Sequence, residues 1–429
     1  MRQLFVLLAL CSGSILHAQD TLTLSQAIAS ALKSNYDVLL VSKQSEEASV
    51  LNTAGQAGML PSINGGVSDQ YSTTNIFQRF ATGDEISSAN ASGNNLSAFV
   101  AMDWTLFSGF TIALGKQRLE ELDQRGKLLL SAQMAQTTYD VTATYFHIVR
   151  LNKMLKNVSE IIQYNEERKD IAQRSLDAGL GAKSNVLQST VDLNAQLQVR
   201  TRLEEELRSA AMDLNLLMGK DPASELQMGE SMSGSSLDIA SLRASWSASN
   251  YELQLARSVK TESELLKRQA SGRMFPEVTL SGSYNFSRAD NSAGFSLVNQ
   301  SYGPRAGVNV SIPLYNGGIL QQQRKVAALR ADAAQLEVEQ VERQLKGEME
   351  KEIDHYLTLQ VLVARQEGNV ALAKENLDIA GARFRLGQSN LLDVRQAELS
   401  YSNAFIDNVN LLYEMRLSET RLRLLAGEL

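Results

Sequence analysis

Leu96-Ser97-Ala98-Phe99-Val100-Ala101-Met102-Asp103-Trp104-Thr105-Leu106 decides the fold of this chain. Its even positions carry Leu96, Ala98, Val100, Met102, Trp104 and Leu106, while the odd ones include Ser97, Ala101, Asp103 and Thr105. Such period-two alternation reads as a strand with one apolar and one polar face. Residues 277–286 and 305–314 alternate in the same way, and 62–71 does so more weakly because Asp69 interrupts its apolar side. Each stretch is about 10 residues, the length a tilted strand needs to cross a bilayer. Tyr71, Trp104, Phe107, Phe275, Tyr284, Phe286, Tyr302 and Tyr315 fall near the strand ends, where interfacial aromatics belong. Two ordinary hairpins on a soluble core would alternate equally well, so the surrounding sequence has to decide.

The chain is written twice. Leu106-Phe107-Ser108-Gly109 returns as Leu314-Tyr315-Asn316-Gly317, and Asn35-Tyr36-Asp37-Val38-Leu39 as Asn250-Tyr251-Glu252-Leu253-Gln254. Met59-Leu60-Pro61 matches Met274-Phe275-Pro276, Asp177-Ala178-Gly179 matches Arg385-Leu386-Gly387, and Leu216-Leu217-Met218-Gly219 matches Leu424-Leu425-Ala426-Gly427. A spacing above about 200 residues is too long for a solenoid repeat of roughly 20–50 residues. It reads as a duplicated half, with residues 20–221 as the first repeat, 222–236 as a linker and 237–429 as the second. The first repeat is expected to hold strands at about 61–72 and 95–107 and a helix at about 110–177; the second, strands at about 276–287 and 302–315 and a helix at about 318–385. Residues 72–95 read as the longer of two loops.

Among 429 residues there are only 5 Pro and 6% aromatics, which favours long helices. A net charge of -7 argues against nucleic acid as a partner. Residues 1–19 have the basic, apolar and small-residue regions of a secretory signal, with cleavage near Ala18 or Gln19. The single cysteine, Cys11, falls inside that leader and is either removed with it or lipidated. No later run is long and apolar enough for a transmembrane helix.

The two longest helical runs, 111–176 and 318–384, lack proline and would each reach roughly 100 Å at 1.5 Å per residue. Four shorter runs, 25–55, 185–218, 237–272 and 392–425, would each reach roughly 50 Å. Two short helices end to end therefore match one long helix. Four strands cannot close a barrel, and an open sheet in lipid leaves edge groups unpaired at several kcal/mol each. The fold class that follows is mainly α with a small β part. Long coiled-coil helices build an α-barrel, and four strands per chain contribute to a shared transmembrane β-barrel.

Leu22-Thr23-Leu24-Ser25-Gln26-Ala27-Ile28-Ala29-Ser30-Ala31-Leu32, followed by Asn35, resembles the opening signature of the TolC-like outer-membrane efflux protein family. Ser108-Gly109-Phe110 and Asn316-Gly317-Gly318 resemble its strand-to-helix junctions, and Gly387-Gln388-Ser389-Asn390-Leu391-Leu392-Asp393-Val394 its periplasmic hairpin turn. The resemblance covers essentially all of the mature chain. It implies a homotrimer with a 12-stranded barrel in the outer membrane of a Gram-negative bacterium and a helical tunnel through the periplasm. It implies a periplasmic adaptor (membrane fusion) protein, an inner-membrane transporter and outer-membrane lipid as partners. The function it implies is the exit duct of a tripartite efflux pump, or alternatively of a type I protein secretion system. Gly179 and Gly387 would lie in adaptor-docking turns.

In that family an Arg and a Tyr of the second half are often linked to a Thr and an Asp of the first, closing the periplasmic end. The matching positions here are Ser389 and Phe384 against Ser184 and Asn185, so the pairing charges are missing. Asp393 matches one member of a constricting acidic ring, and Gln396 replaces the other. The family's Pro after the Asn of the opening signature is Tyr36 here, and Tyr251 in the second repeat.

Beyond His17 in the leader, His147 and His355 are repeat-equivalent and have no cysteine or acid cluster beside them, so no metal site is expected. No phosphate loop, nucleophile elbow or zinc motif occurs. Neither enzymatic activity nor a cofactor is expected. The rival reading is a non-pore periplasmic coiled-coil structural or adaptor protein, which would have no use for four alternating strands.

Overall fold

The computed structural model describes residues 22–226, 228–229, 232 and 237–429. The leader with Ala18, Gln19 and Cys11, and much of the linker 222–236, lie outside the described residues. The chain forms helices α1 (Leu24–Ser34) and α2 (Tyr36–Leu51), strands β1 (Ser62–Arg79) and β2 (Glu85–Ser108), and helices α3 (Thr111–Asp177) and α4 (Lys183–Leu217). The second repeat gives α5 (Ile239–Ser249), α6 (Tyr251–Gly272), β3 (Glu277–Asn291), β4 (Val298–Ser311), α7 (Ile319–Arg385) and α8 (Leu391–Ala426). No helix among the described residues is long and apolar enough to cross a membrane. Two compact units result, and each draws on both repeats. One comprises residues up to Leu40 with Ala132–Asn250 and Leu345–Leu429; the other comprises Val41–Ser131 and Tyr251–Gln344.

The second of these units holds one antiparallel sheet in the order β1-β2-β3-β4. Register aligns the alternating residues of all four strands. Gly65 faces Val100, Val100 faces Tyr284 and Tyr284 faces Pro304; one row on, Val67, Ala98, Phe286 and Tyr302 align. Val278 faces Val310 and Leu280 faces Val308 on the same side. The opposite side aligns Ser62 with Asp103, Asp103 with Ser281 and Ser281 with Gly307, and Thr279 with Asn309.

Several strand boundaries differ from the sequence expectation: the second hairpin also pairs further, β3 to Asn291 rather than about 287 and β4 from Val298 rather than about 302. Residues 72–95 are not a loop: β1 and β2 continue as a paired ladder to Arg79 and Glu85. This extension is rich in Ser, Thr and Asn, so neither face is apolar and the alternation that marks a strand fades although the hydrogen bonds persist. Its bulge places Asn90 at φ 55, and the Asn75 side chain accepts the Asn90 N–H at 2.8 Å. β4 ends at Ser311 rather than near 315, where Pro313 cannot donate to a ladder.

The helices of the same unit pack side by side. Gly126 of α3 lies so close to α2 that a Cβ would come within 3.2 Å of the Ser45 Cα. Glu262 of α6 receives hydrogen bonds from Arg118, at 2.9 Å, and Arg125, both on α3. Burial pushes the Glu262 carboxyl up, but the two guanidinium groups outweigh it and hold it below the usual carboxylate range.

In the other unit, each repeat has a helix break that periodicity does not show. The expected helix 25–55 is α1 and α2 broken at Asn35, and 237–272 is α5 and α6 broken at Asn250. The Asn35 side chain accepts the N–H groups of Asp37 and Val38 and donates to the Leu217 carbonyl at 3.0 Å. Asn250 donates in the same way to the Leu425 carbonyl at 2.9 Å. Each asparagine thus stops a helix and ties the joint to the C-terminal end of α4 or α8, and Asn35 also caps the helix that follows. A buried core of Ala27, Ala31, Val141, Val149, Leu214 and Met218 packs around the first of these joints.

Candidate functional site

Two regions carry the residues expected to matter. The first is the apolar sheet face, which exposes Val67, Val100, Tyr284, Tyr302, Val308 and Val310, each more than half accessible. Large apolar side chains on an exposed face need a nonaqueous or protein neighbour. Phe99 is the exception on the polar face, and it lies across Gly66, where a Cβ would meet its ring at 2.7 Å. Apolar alternation alone does not reveal this pairing; a Gly opposite an aromatic on adjacent strands is the signal that could have.

The second region is the pair of helical turns. Gly179 has φ 73 and Gly387 has φ 69, the left-handed conformation that ends α3 and α7. The turns are closed by backbone hydrogen bonds, Leu180 N–H to Ser175 and Gln388 N–H to Arg383. Leu180 is 86% exposed, and Leu386, Leu187 and Leu392 are also exposed. Asn390 caps α8: its side chain accepts the Asp393 N–H at 3.0 Å, and Asp393 accepts from the Ser389 hydroxyl at 2.9 Å and from the Asn390 N–H. Asp393 is thus the third residue of a capping box as well as an exposed carboxylate.

Within one chain, the matched gate positions are not brought together. Ser184 and Asn185 are exposed in the first turn of α4, and Phe384 is half-buried near the end of α7; none makes a side-chain hydrogen bond to another. The links between the two hairpins lie further along the helices. Arg385 of α7 pairs with Glu167 of α3 through two contacts of 2.7 and 3.1 Å. Tyr164 donates to Asp378 at 2.8 Å, and the Lys374 ammonium sits 5.0 Å from the Tyr164 ring and 4.8 Å from the Tyr401 ring. Deepest is Arg168, only 3% exposed, which contacts Glu398 of α8 at 2.7 Å and Asp192 of α4 at 2.9 Å. Asn165 also donates to Glu398, at 2.8 Å, and Arg395 reaches Asp192 at 3.4 Å. Burial pushes the Glu398 carboxyl up, against the pull of Arg168 and Asn165. Sequence reading missed this cluster because its members are about 24 to 230 residues apart and each looks like an ordinary charge on a solvated helix face.

His147 sits against Arg150, whose guanidinium donates to Nδ1 at 3.0 Å, and Glu206 lies 3.6 Å from Nε2. Burial and the Arg150 charge lower its pKa. No group of His, Cys, Asp and Glu suited to a metal ion occurs among the described residues.

The model of the outer membrane efflux protein family matches residues 27–220 and again 234–428, one match per repeat. The outer membrane protein TolC of Vibrio cholerae is 23% identical over 303 residues, 67% of each chain. The outer membrane efflux protein BepC of Brucella suis is 21% identical over 405 residues, covering 92% of this chain and 84% of that one. In fold, the Campylobacter jejuni CmeC outer membrane channel superposes with a TM-score of 0.82 at 17% identity, over 94% of this chain and 85% of that one. The Vibrio cholerae outer membrane protein VceC does so with a TM-score of 0.76 at 18% identity, over 94% and 96%. An apolar sheet face built from both repeats, on helices whose two halves each match the family, makes this chain a member of the outer membrane efflux protein family and an outer-membrane channel, the exit duct of an efflux pump.

Proposed function

We propose that three copies of the chain close a single barrel and that the turns at 179–185 and 387–393 meet a periplasmic adaptor tip to tip, with an inner-membrane transporter behind it. The observation that carries the closure is a four-stranded sheet with an apolar face and two free edges, β1 and β4. Free edges in lipid cost several kcal/mol per unpaired group, and single-chain barrels start at about eight strands. The helices of the same unit repeat the pattern. Val50 and Leu51 of α2, at one side, and Leu329 and Leu336 of α7, at the other, are all exposed. Contact of β4 and α7 in one copy with β1 and α2 in the next is heterologous and closes by rotation.

Exposed Leu180, Leu187, Leu386 and Leu392 offer an adaptor apolar anchors at both turns. Three copies of Asp393 round one axis would favour cations and bind multivalent ones, with Gln396 adding no charge. Ser184, Asn185, Phe384 and Ser389 would face neighbours at the same constriction without an ionic latch. The leader is removed near Ala18 or Gln19, which N-terminal sequencing of the mature protein checks.

The test is electrophoresis of heated and unheated samples together with single-channel recording in a planar bilayer. A heat-resistant trimer that conducts, and whose current is blocked by a trivalent cation less effectively in Asp393→Asn, is the expected result. A non-conducting monomer would sink the closure. Unchanged block in Asp393→Asn would leave Asp393 as a helix cap only.

A further inference from the structure

The two repeats have diverged in charge directly next to the sheet. Residues 260–273 of α6 and its end, with 319–330 of α7, carry seven cations and two acids, whereas the equivalent residues 45–58 and 111–122 carry two cations and four acids. Both acids of the second repeat are engaged, Glu262 by Arg118 and Arg125, and Glu264 by Lys260 at 3.8 Å. The side chains of Lys267, Arg268, Arg273, Arg324, Lys325 and Arg330 have no ion-pair or hydrogen-bond partner among the described residues.

Packing has diverged with the charge. In the first repeat α2 and α3 touch at Gly126 and share the Ser49–Asp123 and Lys116–Asn52 hydrogen bonds. Only a groove of about 250 Å³ is left between them, further from the sheet, whereas the groove between α6 and α7 measures about 450 Å³. Leu266, Ala270, Ile319 and Val326 supply its apolar lining, and Arg273 and Arg330 also border it. Arg273 lies two residues before Phe275, and Ile319 four after Tyr315, so the groove adjoins the aromatic boundary of the lipid-facing sheet. Exposed Ile312, Leu314 and Tyr315 continue its apolar lining toward the strands.

We propose that this groove binds an anionic phospholipid of the adjoining leaflet, its phosphate held by Arg273 and Arg330 and an acyl chain laid along Ile319 and Leu314. Unpaired guanidinium groups match phosphate geometry and charge, and basic pockets between helices at a membrane boundary select anionic headgroups. An apolar lining continuous with the bilayer-facing surface selects an amphiphile over a free anion. The outward rim of the sheet is a poor competitor, because its Arg288 is already paired with Asp290 at 2.9 Å.

The protein is reconstituted in nanodiscs holding equal phosphatidylglycerol and phosphatidylcholine, and the lipid retained after detergent release is read by native mass spectrometry. Phosphatidylglycerol enriched at least fivefold, at one lipid per chain, is expected, with enrichment lost in R273Q/R330Q and kept in Lys43→Gln. Equal retention of the two lipids, or enrichment unchanged in R273Q/R330Q, overturns the proposal. Wild-type protein in the same nanodiscs with a photoactivatable acyl-chain phosphatidylglycerol covers the case in which the double variant fails to assemble. Labelling must fall on α6 and α7 peptides, and labelling confined to strand peptides overturns it.

Discussion

Gly219 and Gly427 show how little room single residues have at the helix joints. They sit at φ 66 and φ 70, and a Cβ on either would come within 2.2 Å of a carbonyl oxygen, that of Ser34 or Ser249. Gly179 has a similar φ of 73 but nothing within 4 Å. Gly219→Ala should therefore cost about 3 kcal/mol or more, strain and steric push together, and Gly179→Ala only about 1. Denaturant melts of the two variants check this, and equal losses would show that the joint gives way freely. His147 supplies a second residue-scale prediction. Its lowered pKa means that the unfolded chain takes up a proton before the folded one as pH falls, so stability declines below about pH 6.5. His147→Gln should flatten that decline in thermal melts at pH 8 and pH 5.5; an unchanged slope would assign it to other groups.

The elements decide which sheet face is apolar, the face assigned to lipid in the proposed barrel. Val310 faces Val278 in the ladder, and Asn309, its neighbour, faces Thr279 on the other side. Because side chains alternate, Val310→Arg puts a charge into the bilayer at about 2–4 kcal/mol, depending on depth. Asn309→Arg puts the same charge toward the polar face at little cost. The yield of assembled protein from membranes reads the difference, and equal impairment would reverse the assigned faces. Helix ends follow equally local rules. Thr23 with Gln26, and Asn390 with Asp393, form capping boxes at α1 and α8, whereas α4 starts at Ala182 with no side-chain cap.

For the whole molecule, the decisive interactions join residues far apart in the chain. Arg168 serves two acids, Glu398 and Asp192, in a nearly dry site. Arg168→Ala should cost about 3–5 kcal/mol, because it leaves buried carboxylates uncompensated. Arg168→Leu with Glu398→Leu should recover part of that loss, since a matched apolar replacement removes the burial penalty of both. If the double variant is as unstable as the sum of the singles, the two side chains are not coupled.

The sequence by itself determined the element types, the duplication, the paired glycine turns and the two unlike sheet faces. The duplication shows as matched stretches more than 200 residues apart, and the others rest on backbone conformation and short periods, which neighbouring residues set. The extended ladder to Arg79 and Glu85 was not legible, because its hydrogen bonds come from the partner strand while its side chains show no pattern. Neither was the break at Asn35, where the side chain bonds a carbonyl 182 residues away. Only the tertiary structure decided that the gate-matched residues stand apart within one chain and that Arg168, Asp192 and Glu398 converge instead. Charges on a helix look alike in sequence, and only burial separates a solvated face from a paired ion inside a bundle.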